Sequence, residues 1–413
     1  MRTQGRFVLA AAIAASMAWS QQESSAERLA PQTRAGEIEL RRLQKAAELA
    51  PETPGRLESG LNYIREHRVL EHVFDGYKGL RPRFGGTVTG SGFAVGPEYY
   101  RHDLSEGNVV FRSSARASFR KAYVFDTEVT LPKLARGHVF LDLYGVHRNY
   151  PHVDYYGPGA DSKKSGRSGF LLEDTSFQSS GGFVLARHLR LGGFGRYLLV
   201  NIGPGHDDRF VSTDRIYTEA TTPGIRLQSN FAQGGGFVQY DWRDNPGMPR
   251  WGGNYVGEYS TFTDVTRGLY SFDRVDLEAQ QYIGFFHRRR VLVLRGRVQA
   301  TEARNGNTVP FYLQPTLGGS DDLRGFRAFR FYDNDSMVLN AEYRWELTTG
   351  LDMALFADAG RVFHDWRDMG FQNMEQSYGF GFRFHSQNSV VMRVDTGFSR
   401  EGFQIWFKFT NPF

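Results

Sequence analysis

One arginine and one aspartate in this sequence are of the types that pair in a low-dielectric interior. Arg324 stands in a Leu-Arg-Gly-Phe tetrapeptide, within a polar stretch that interrupts the strand pattern on either side. Asp358 lies downstream, in an otherwise apolar Phe-Ala-Asp-Ala-Gly segment. A buried carboxylate is costly to leave unpaired, and a guanidinium is a permanently charged fork that fits a carboxylate. We therefore predict a buried ion pair between Arg324 and Asp358.

Two further residues belong to this prediction. Gly325 follows the arginine, and because glycine tolerates any backbone angle, we expect the loop to turn sharply there while the guanidinium points away from solvent. Glu342 is a second candidate acceptor, because strand alternation places it on the inward face together with Asn340 and Arg344.

Other patterns that suggest chemistry are weaker. The segment from Gly157 to Ser165 superficially suggests a phosphate-binding loop, but the second glycine before Lys-Ser is missing and no helix pattern follows. No Gly-x-Ser-x-Gly sequence occurs, and the eleven histidines are not clustered as in a metal site. The sequence therefore predicts no catalytic site, no metal and no cofactor. The net charge of +5 comes without a long basic run that contains interleaved aromatics, so nucleic-acid binding is not expected.

The composition is typical of a transmembrane β-barrel. The chain has 413 residues, no cysteine, 15% aromatic residues and 47 glycines, with a mean hydropathy of −0.46. These values exclude a helical membrane protein and a disulfide scaffold. A barrel fits them, because its strands alternate lipid-facing and lumen-facing residues and its average hydropathy stays low.

The N-terminus has the pattern of a secretory signal peptide. Arg2 and Arg6 precede an apolar run from Phe7 to Met17, and small residues follow up to Ser20. We expect cleavage after Ser20, so that residues 1–20 are the signal peptide. Residues 21–80 are predicted to be a periplasmic segment, helical or flexible, because apolar residues recur there at helical spacing between prolines.

Residues 81–413 alternate in the manner of barrel strands. In 291–300, Leu292 and Leu294 share one face while Arg295 and Arg297 share the other, as lipid and water sides require. We therefore predict an all-β fold, a transmembrane antiparallel barrel of about sixteen strands. The predicted strands lie near 82–88, 91–101, 108–118, 121–132, 138–148, 167–188, 190–203, 225–242, 251–262, 272–285, 290–302, 336–347, 350–362, 376–386, 389–399 and 403–412. The longer connections 149–166, 204–224 and 303–335 are expected to be extracellular.

The Leu-Arg-Gly-Phe loop motif comes first in the sequence, the Phe-Ala-Asp-Ala-Gly strand motif follows, and the chain ends in a phenylalanine. With these motifs in this order, the chain resembles the BamA, TamA and FhaC superfamily of outer-membrane assembly and secretion barrels over about residues 81–413. The resemblance implies that the loop folds back into the lumen, where its arginine pairs with the strand aspartate. It also implies a bacterial outer-membrane location, contact with outer-membrane lipid and an unfolded protein client. The residues concerned are Leu323, Arg324, Gly325 and Phe326 in the loop, and Phe356, Asp358 and Gly360 in the strand.

The chain departs from the family pattern at its N-terminus and resembles it up to its C-terminus. Residues 21–80 show no strand pattern of the periplasmic POTRA domains, so a form without POTRA domains is expected, and a separate periplasmic partner would have to replace them. At the C-terminus, Phe409 and Phe413 resemble the signal by which the assembly machinery captures barrel precursors.

Two functions are compatible with this sequence. In the first, weakly paired first and last strands open laterally for a client, which the early glycines favour because glycine weakens strand pairing; these are Gly85, Gly86, Gly90, Gly92 and Gly96. In the second, the barrel is a passive pore or structural barrel in which the ion pair simply braces the lumen.

Overall fold

The computed structural model describes residues 34–48, 77–85, 87–88, 90–207, 209–385 and 390–409. The chain divides into two compact units, Met1–Gly60 and Leu61–Phe413. The predicted signal peptide, most of the predicted periplasmic segment and Phe413 lie outside the described residues.

The first unit contributes helix α1 (Arg34–Glu48) to the described structure. Glu37 lies in its first turn and Lys45 in its last, which is the charge order that complements a helix dipole. Ile38 and Leu43 on this helix are exposed. None of the helices in the described ranges is both long enough and apolar enough to cross a membrane.

The second unit is built on one sheet of sixteen antiparallel strands, each hydrogen-bonded to its neighbour in chain order. A further two-stranded sheet, β12 with β13, lies in the connection between β11 and β14. The strands are β1 (Leu80–Phe84), β2 (Ala94–Leu104), β3 (Val109–Ser118), β4 (Tyr123–Lys133), β5 (Val139–Tyr155), β6 (Ser168–Ala186), β7 (Leu189–Pro204), β8 (Phe231–Asp241), β9 (Gly252–Asp264), β10 (Phe272–Phe285), β11 (Arg290–Ala303), β12 (Thr316–Leu317), β13 (Phe331–Tyr332), β14 (Asp335–Thr348), β15 (Leu351–Phe363), β16 (Glu375–His385), β17 (Val390–Ser399) and β18 (Gly402–Lys408). The predicted antiparallel barrel fold with about sixteen wall strands is confirmed.

Short helical segments occur only in connections within the described part of the chain. They are Leu134–Gly137, Lys164–Gly166, Thr213–Ile216, Phe311–Leu313 and Trp366–Asp368.

Two strands, β5 and β8, differ by six or more residues from a predicted bound, while β1 ends at Phe84 instead of 88 and β2 spans Ala94–Leu104 instead of 91–101. Strand β5 continues through Tyr155 instead of ending at 148, because its upper part pairs with β6 up to Ser168 and buries Val153 and Tyr155. Strand β8 begins at Phe231 instead of 225. Just before it, the side chains of Gln228 and Asn230 accept hydrogen bonds from the β7 backbone, at 2.7 and 3.1 Å, in place of a backbone ladder.

The walls alternate as a membrane barrel requires. Arg295 on β11 and Arg344 on β14 are buried on the inward face, whereas Leu294 is 42% exposed on the outer face. On β16, Arg383 is buried and Tyr378 is 66% exposed. Charges therefore lie inside and aromatic side chains outside, where lipid contacts them.

The long connections pack over one end of the barrel around Tyr155. Its ring meets those of Tyr217, Phe311 and Tyr332, with centroids 4.9 to 5.2 Å apart. Long connections are extracellular in such barrels and short turns are periplasmic, so this aromatic cluster covers the extracellular end.

Candidate functional site

The connection between β12 and β13, residues 318–330, forms a folded loop that we call the Arg324 loop. Gly318 and Gly319 both adopt a φ of 110°, so the chain turns at its start. Its apolar side chains Leu323 and Phe326 are fully buried in a cluster with Val338 and Val362 of the wall. The cluster fixes the loop against the inward side of strands β14 and β15.

Arg324 is fully buried and holds two carboxylates. Its Nε and Nη2 atoms donate to the two oxygens of Asp358 at 3.0 and 2.7 Å, and its backbone N–H donates to the same carboxylate at 3.1 Å. Nη1 donates to Glu342. The guanidinium carbon lies 3.5 Å from the centre of the Phe356 ring, which is close enough for a cation–π interaction. The structure thus places Arg324, Asp358, Glu342 and Phe356 together.

Asp358 has further hydrogen-bond donors besides the arginine. Asn340 donates to one of its oxygens at 2.9 Å, and Ser377 donates to the other at 3.1 Å. Both residues lie directly across from Asp358, on the neighbouring strands β14 and β16. The carboxylate of Asp358 thus accepts hydrogen bonds from Arg324, Asn340 and Ser377, and its side chain has no exposed surface. These contacts fix its position on every side.

Glu342 joins Arg324 to a longer chain of buried charges. It accepts from Arg344 at 2.6 Å and from Arg383 at 2.9 Å. Arg383 in turn donates to Asp395, which also accepts from Arg393 at 2.7 Å. We call the following set the loop network: Arg324, Glu342, Arg344, Asp358, Arg383, Arg393 and Asp395. It connects the Arg324 loop to all four strands from β14 to β17.

Most of this network was not among the predicted site residues. Arg393 and Asp395 lie at alternate positions of the 389–399 strand pattern, so their shared inward face was available as a signal. Their partners depend on strand register and on the loop, since Arg393 also donates to the carbonyl of Ser320 at 3.0 Å. Local sequence does not specify either.

Gly325 lies in a turn, as predicted, because the Phe326 N–H donates to the carbonyl oxygen of Leu323 at 3.0 Å. The turn does not use a left-handed backbone angle at Gly325; in this loop the left-handed residues are Gly318, Gly319 and Phe329. Gly325 also has a role that was not predicted, since a side-chain carbon there would lie 2.5 Å from the carbonyl oxygen of Phe398. At Gly397 it would lie 2.4 Å from the carbonyl oxygen of Arg324. Both glycines therefore permit close approach of the loop backbone to β17.

The loop also contacts the last strand. The indole Nε1–H of Trp406 donates to the carbonyl oxygen of Arg324 at 2.7 Å, and Ser399 donates to the carbonyl of Gly325 at 2.8 Å. Gly360, the last residue of the predicted strand motif, lies under Leu317 and Leu323.

The junction between β1 and β18, which we call the seam, differs from every other strand junction. In the described part of the chain, the hydrogen-bonded order of the sheet begins at β1 and ends at β18. Across the seam, the Phe409 ring stacks on Phe84 at 5.4 Å and meets the edge of Phe93 at 5.5 Å. Phe409, one of the two predicted C-terminal signal residues, thus packs against the start of the barrel.

Comparisons with known proteins agree with this architecture. Residues 208–401 match the Omp85 superfamily domain. No curated protein matches the sequence at a significant level. Among solved structures, BamA from Haemophilus ducreyi lacking POTRA domains 1–3 is similar, with a TM-score of 0.59 and 14% identity over 80% of this chain and 69% of that one.

CdiB from Escherichia coli is also similar, with a TM-score of 0.57 and 12% identity over 79% of this chain. The chain spans 61% of the length of that CdiB. At these identities the two structures show the shared barrel fold. The domain match confirms the resemblance to the superfamily over residues 208–401, and the predicted bacterial outer-membrane location agrees with it.

Proposed function

We propose that this outer-membrane barrel, whose residues 208–401 match the Omp85 superfamily domain, assembles or translocates polypeptide clients by opening the seam between β1 and β18. The observation that supports this proposal is the seam itself, which is joined by aromatic rings in the described residues while every other junction has a backbone ladder. Assembly and secretion are the activities associated with barrels of this superfamily.

Opening at the seam would expose strand edges. An edge strand presents unpaired N–H and C=O groups, and an extended segment of another chain can add to it as a further strand. An unfolded protein client is therefore the partner that chemically fits an open seam. Strand β1 spans five residues, Leu80–Phe84, which leaves it a short edge with few ladder bonds to β2.

The Arg324 loop has a defined part in this proposal. It acts inside the lumen and braces β14 to β17 through the loop network, and it holds β18 through the Trp406 hydrogen bond. The C-terminal side of the seam would then be the fixed side, and the β1 side would move. Delivery of clients by a separate periplasmic partner belongs to the same proposal.

The second candidate is a passive pore or structural barrel. The loop network favours it as well, because a static barrel also needs its inward charges neutralised. The two candidates differ in whether the seam must move.

A reversible lock across the seam separates the two candidates. The chain has no cysteine, so Phe84→Cys with Phe409→Cys introduces a single thiol pair at the ring contact across the seam. The matched control pair is Phe398→Cys with Phe403→Cys, two residues directly opposite each other on the paired strands β17 and β18. Oxidation of the seam pair should abolish complementation of a deletion strain, and reduction should restore it, whereas the control pair should complement in both states.

Phe409 also belongs to the predicted C-terminal signal, so the single Phe409→Cys variant is needed to separate targeting from locking. If the oxidised seam pair complements as well as the control pair, the seam does not need to open and the passive barrel is the better description.

A further inference from the structure

The periplasmic turn between β10 and β11 has a backbone that its sequence does not explain. Its first three residues, Phe286, His287 and Arg288, all adopt left-handed angles, with φ of 48°, 58° and 61°. Side chains of L-residues crowd the backbone in this region, and bulky residues are rarely found there. Such outliers persist where the surrounding structure imposes them, and they point to a function.

Two other short turns of the barrel share this conformation and allow a direct comparison. Between β2 and β3, the left-handed residues are Ser105, Glu106 and Gly107, and between β4 and β5 they are Ala135, Arg136 and Gly137. In both turns the third position is glycine, which has no steric cost there. In the β10–β11 turn the same position is Arg288.

The β10–β11 turn is held in place from the lumen side. Arg288 forms an ion pair with Asp244 at 3.2 Å, and Arg250 donates to the carbonyl oxygen of Arg288 at 2.9 Å. Arg250 is itself anchored by Asp352 at 3.0 Å. These contacts fix the turn so that Phe286 stands 67% exposed at the periplasmic end of the barrel.

Beside this turn lies a cleft of about 600 Å³, whose lining residues include Phe286, Arg289, Arg290 and Trp345. Arg290 lies opposite Trp345 in the strand register, on the lipid-facing side, and its guanidinium carbon is 5.1 Å from the Phe286 ring. Arg289 is exposed at the mouth of the cleft. In the described ranges, neither arginine forms an ion pair, although Glu346 also lines the cleft. The cleft therefore presents two arginines that form no ion pair in the described ranges, and their two positive charges exceed the one negative charge of Glu346.

The barrel wall next to the cleft carries a group of aromatic side chains in mutual contact. Phe285 meets Phe286 at 5.7 Å and Tyr343 at 6.0 Å, and Tyr343 meets Trp345 at 5.5 Å. Aromatic side chains of this kind mark the membrane–water interface, and basic clusters at an interface bind anionic lipid headgroups. Because the turn is short, it lies at the periplasmic leaflet.

We infer that this cleft binds the phosphate headgroup of an anionic phospholipid from the periplasmic leaflet of the outer membrane. Arg289 and Arg290 contact the phosphate, while Phe286 and Trp345 contact the glycerol and the upper acyl chains. The rings favour a lipid over a free phosphate, because a soluble anion gains nothing from apolar surface. The left-handed turn holds Phe286, Arg289 and Arg290 at the same depth relative to the membrane surface.

The test uses the full chain in nanodiscs of phosphatidylcholine with a small fraction of spin-labelled phosphatidylglycerol. Wild type should bind phosphatidylglycerol in preference to labelled phosphatidylcholine, and raised salt should weaken that preference. The Arg289→Gln/Arg290→Gln variant should lose roughly fivefold in relative affinity for each arginine. Its heat-modifiable gel mobility should not change, because neither side chain forms an ion pair in the described structure.

The matched control is Arg136→Gln, an arginine on a left-handed turn of the same kind, with no such cleft described beside it; it should keep the wild-type preference. Inorganic phosphate, added at constant ionic strength, should not displace the labelled lipid. The inference is overturned if wild type shows no preference, if Arg136→Gln loses as much as the double variant, or if inorganic phosphate displaces the lipid.

Discussion

Strands β1 to β4 and strands β14 to β17 hold their inward charges in different ways. In the first group the pairs join neighbouring strands directly, as when Arg81 and Arg83 both donate to Glu98. The two arginine side chains remain 27 and 29% exposed. In the second group a loop enters the network, and Arg324 and its carboxylate partners have no exposed surface.

This difference has an energetic meaning. Partly exposed pairs are screened by water and contribute about 1 kcal/mol or less, whereas removing one member of a buried pair leaves a charge that cannot be solvated. The C-terminal wall is therefore held more rigidly than the edge formed by β1 and β2, and in the N-terminal wall β3 and β4 carry a buried pair of their own, Arg116 with Asp126. The seam lies between that edge and the C-terminal wall.

The largest expected effect comes from removing Arg324. Arg324→Ala leaves Asp358 and Glu342 buried with one cation fewer, so the free energy of unfolding should fall by about 3–5 kcal/mol. The loop should loosen, and the conductance of purified protein in planar bilayers should rise. Urea unfolding and single-channel recording measure the two effects. Unchanged conductance together with unchanged stability would mean that the buried pairs of Arg324 contribute no more than the partly exposed pairs of Glu98.

A smaller effect is expected from the glycines at the loop contact. Gly397→Ala places a carbon against the carbonyl oxygen of Arg324, which forces the loop away from β17 and should cost about 1–3 kcal/mol. Gly370→Ala is the matched control, because nothing lies within 4 Å of the added carbon there. Equal urea midpoints for the two variants would contradict the close packing of the loop.

The smallest effect is expected in the N-terminal wall. Arg81→Ala removes one of three arginines from Glu98, and Arg83 and Arg112 remain to pair with it. The loss of stability should be about 1 kcal/mol or less. A double-mutant cycle with Glu98→Gln measures the coupling directly. A coupling energy as large as that between Arg324 and Asp358 would remove the distinction between the walls.

The sequence was most informative where a repeating pattern could be counted. Alternation predicted the number of wall strands and the inward position of Arg344, because a barrel wall imposes a period of two on every strand. The sequence was least informative about which groups a buried side chain contacts. Arg393 meets Asp395 two residues along its own strand, but its contact with Ser320 depends on a loop seventy-three residues away in sequence.

Gly325 illustrates the same limit. A glycine after an arginine suggests a backbone turn, because that property belongs to the residue alone. That turn is present, but the second role of Gly325 depends on how closely β17 approaches the loop, and no local pattern encodes that distance. Trp406 is a second example. Strand alternation predicts the face of β18 on which its side chain lies, but not that its indole N–H donates to the carbonyl oxygen of Arg324.

The contact between the Arg324 loop and the last two strands also constrains the order of folding. The loop backbone is packed against Gly397, and its Arg324 carbonyl accepts from Trp406, eighty-two residues later. Contacts of such long sequence separation form late and slowly. Because the loop lies directly inside β17 and β18, insertion of the loop and docking of those strands depend on the same contacts, so the two events are coupled and belong to the late, slow part of folding.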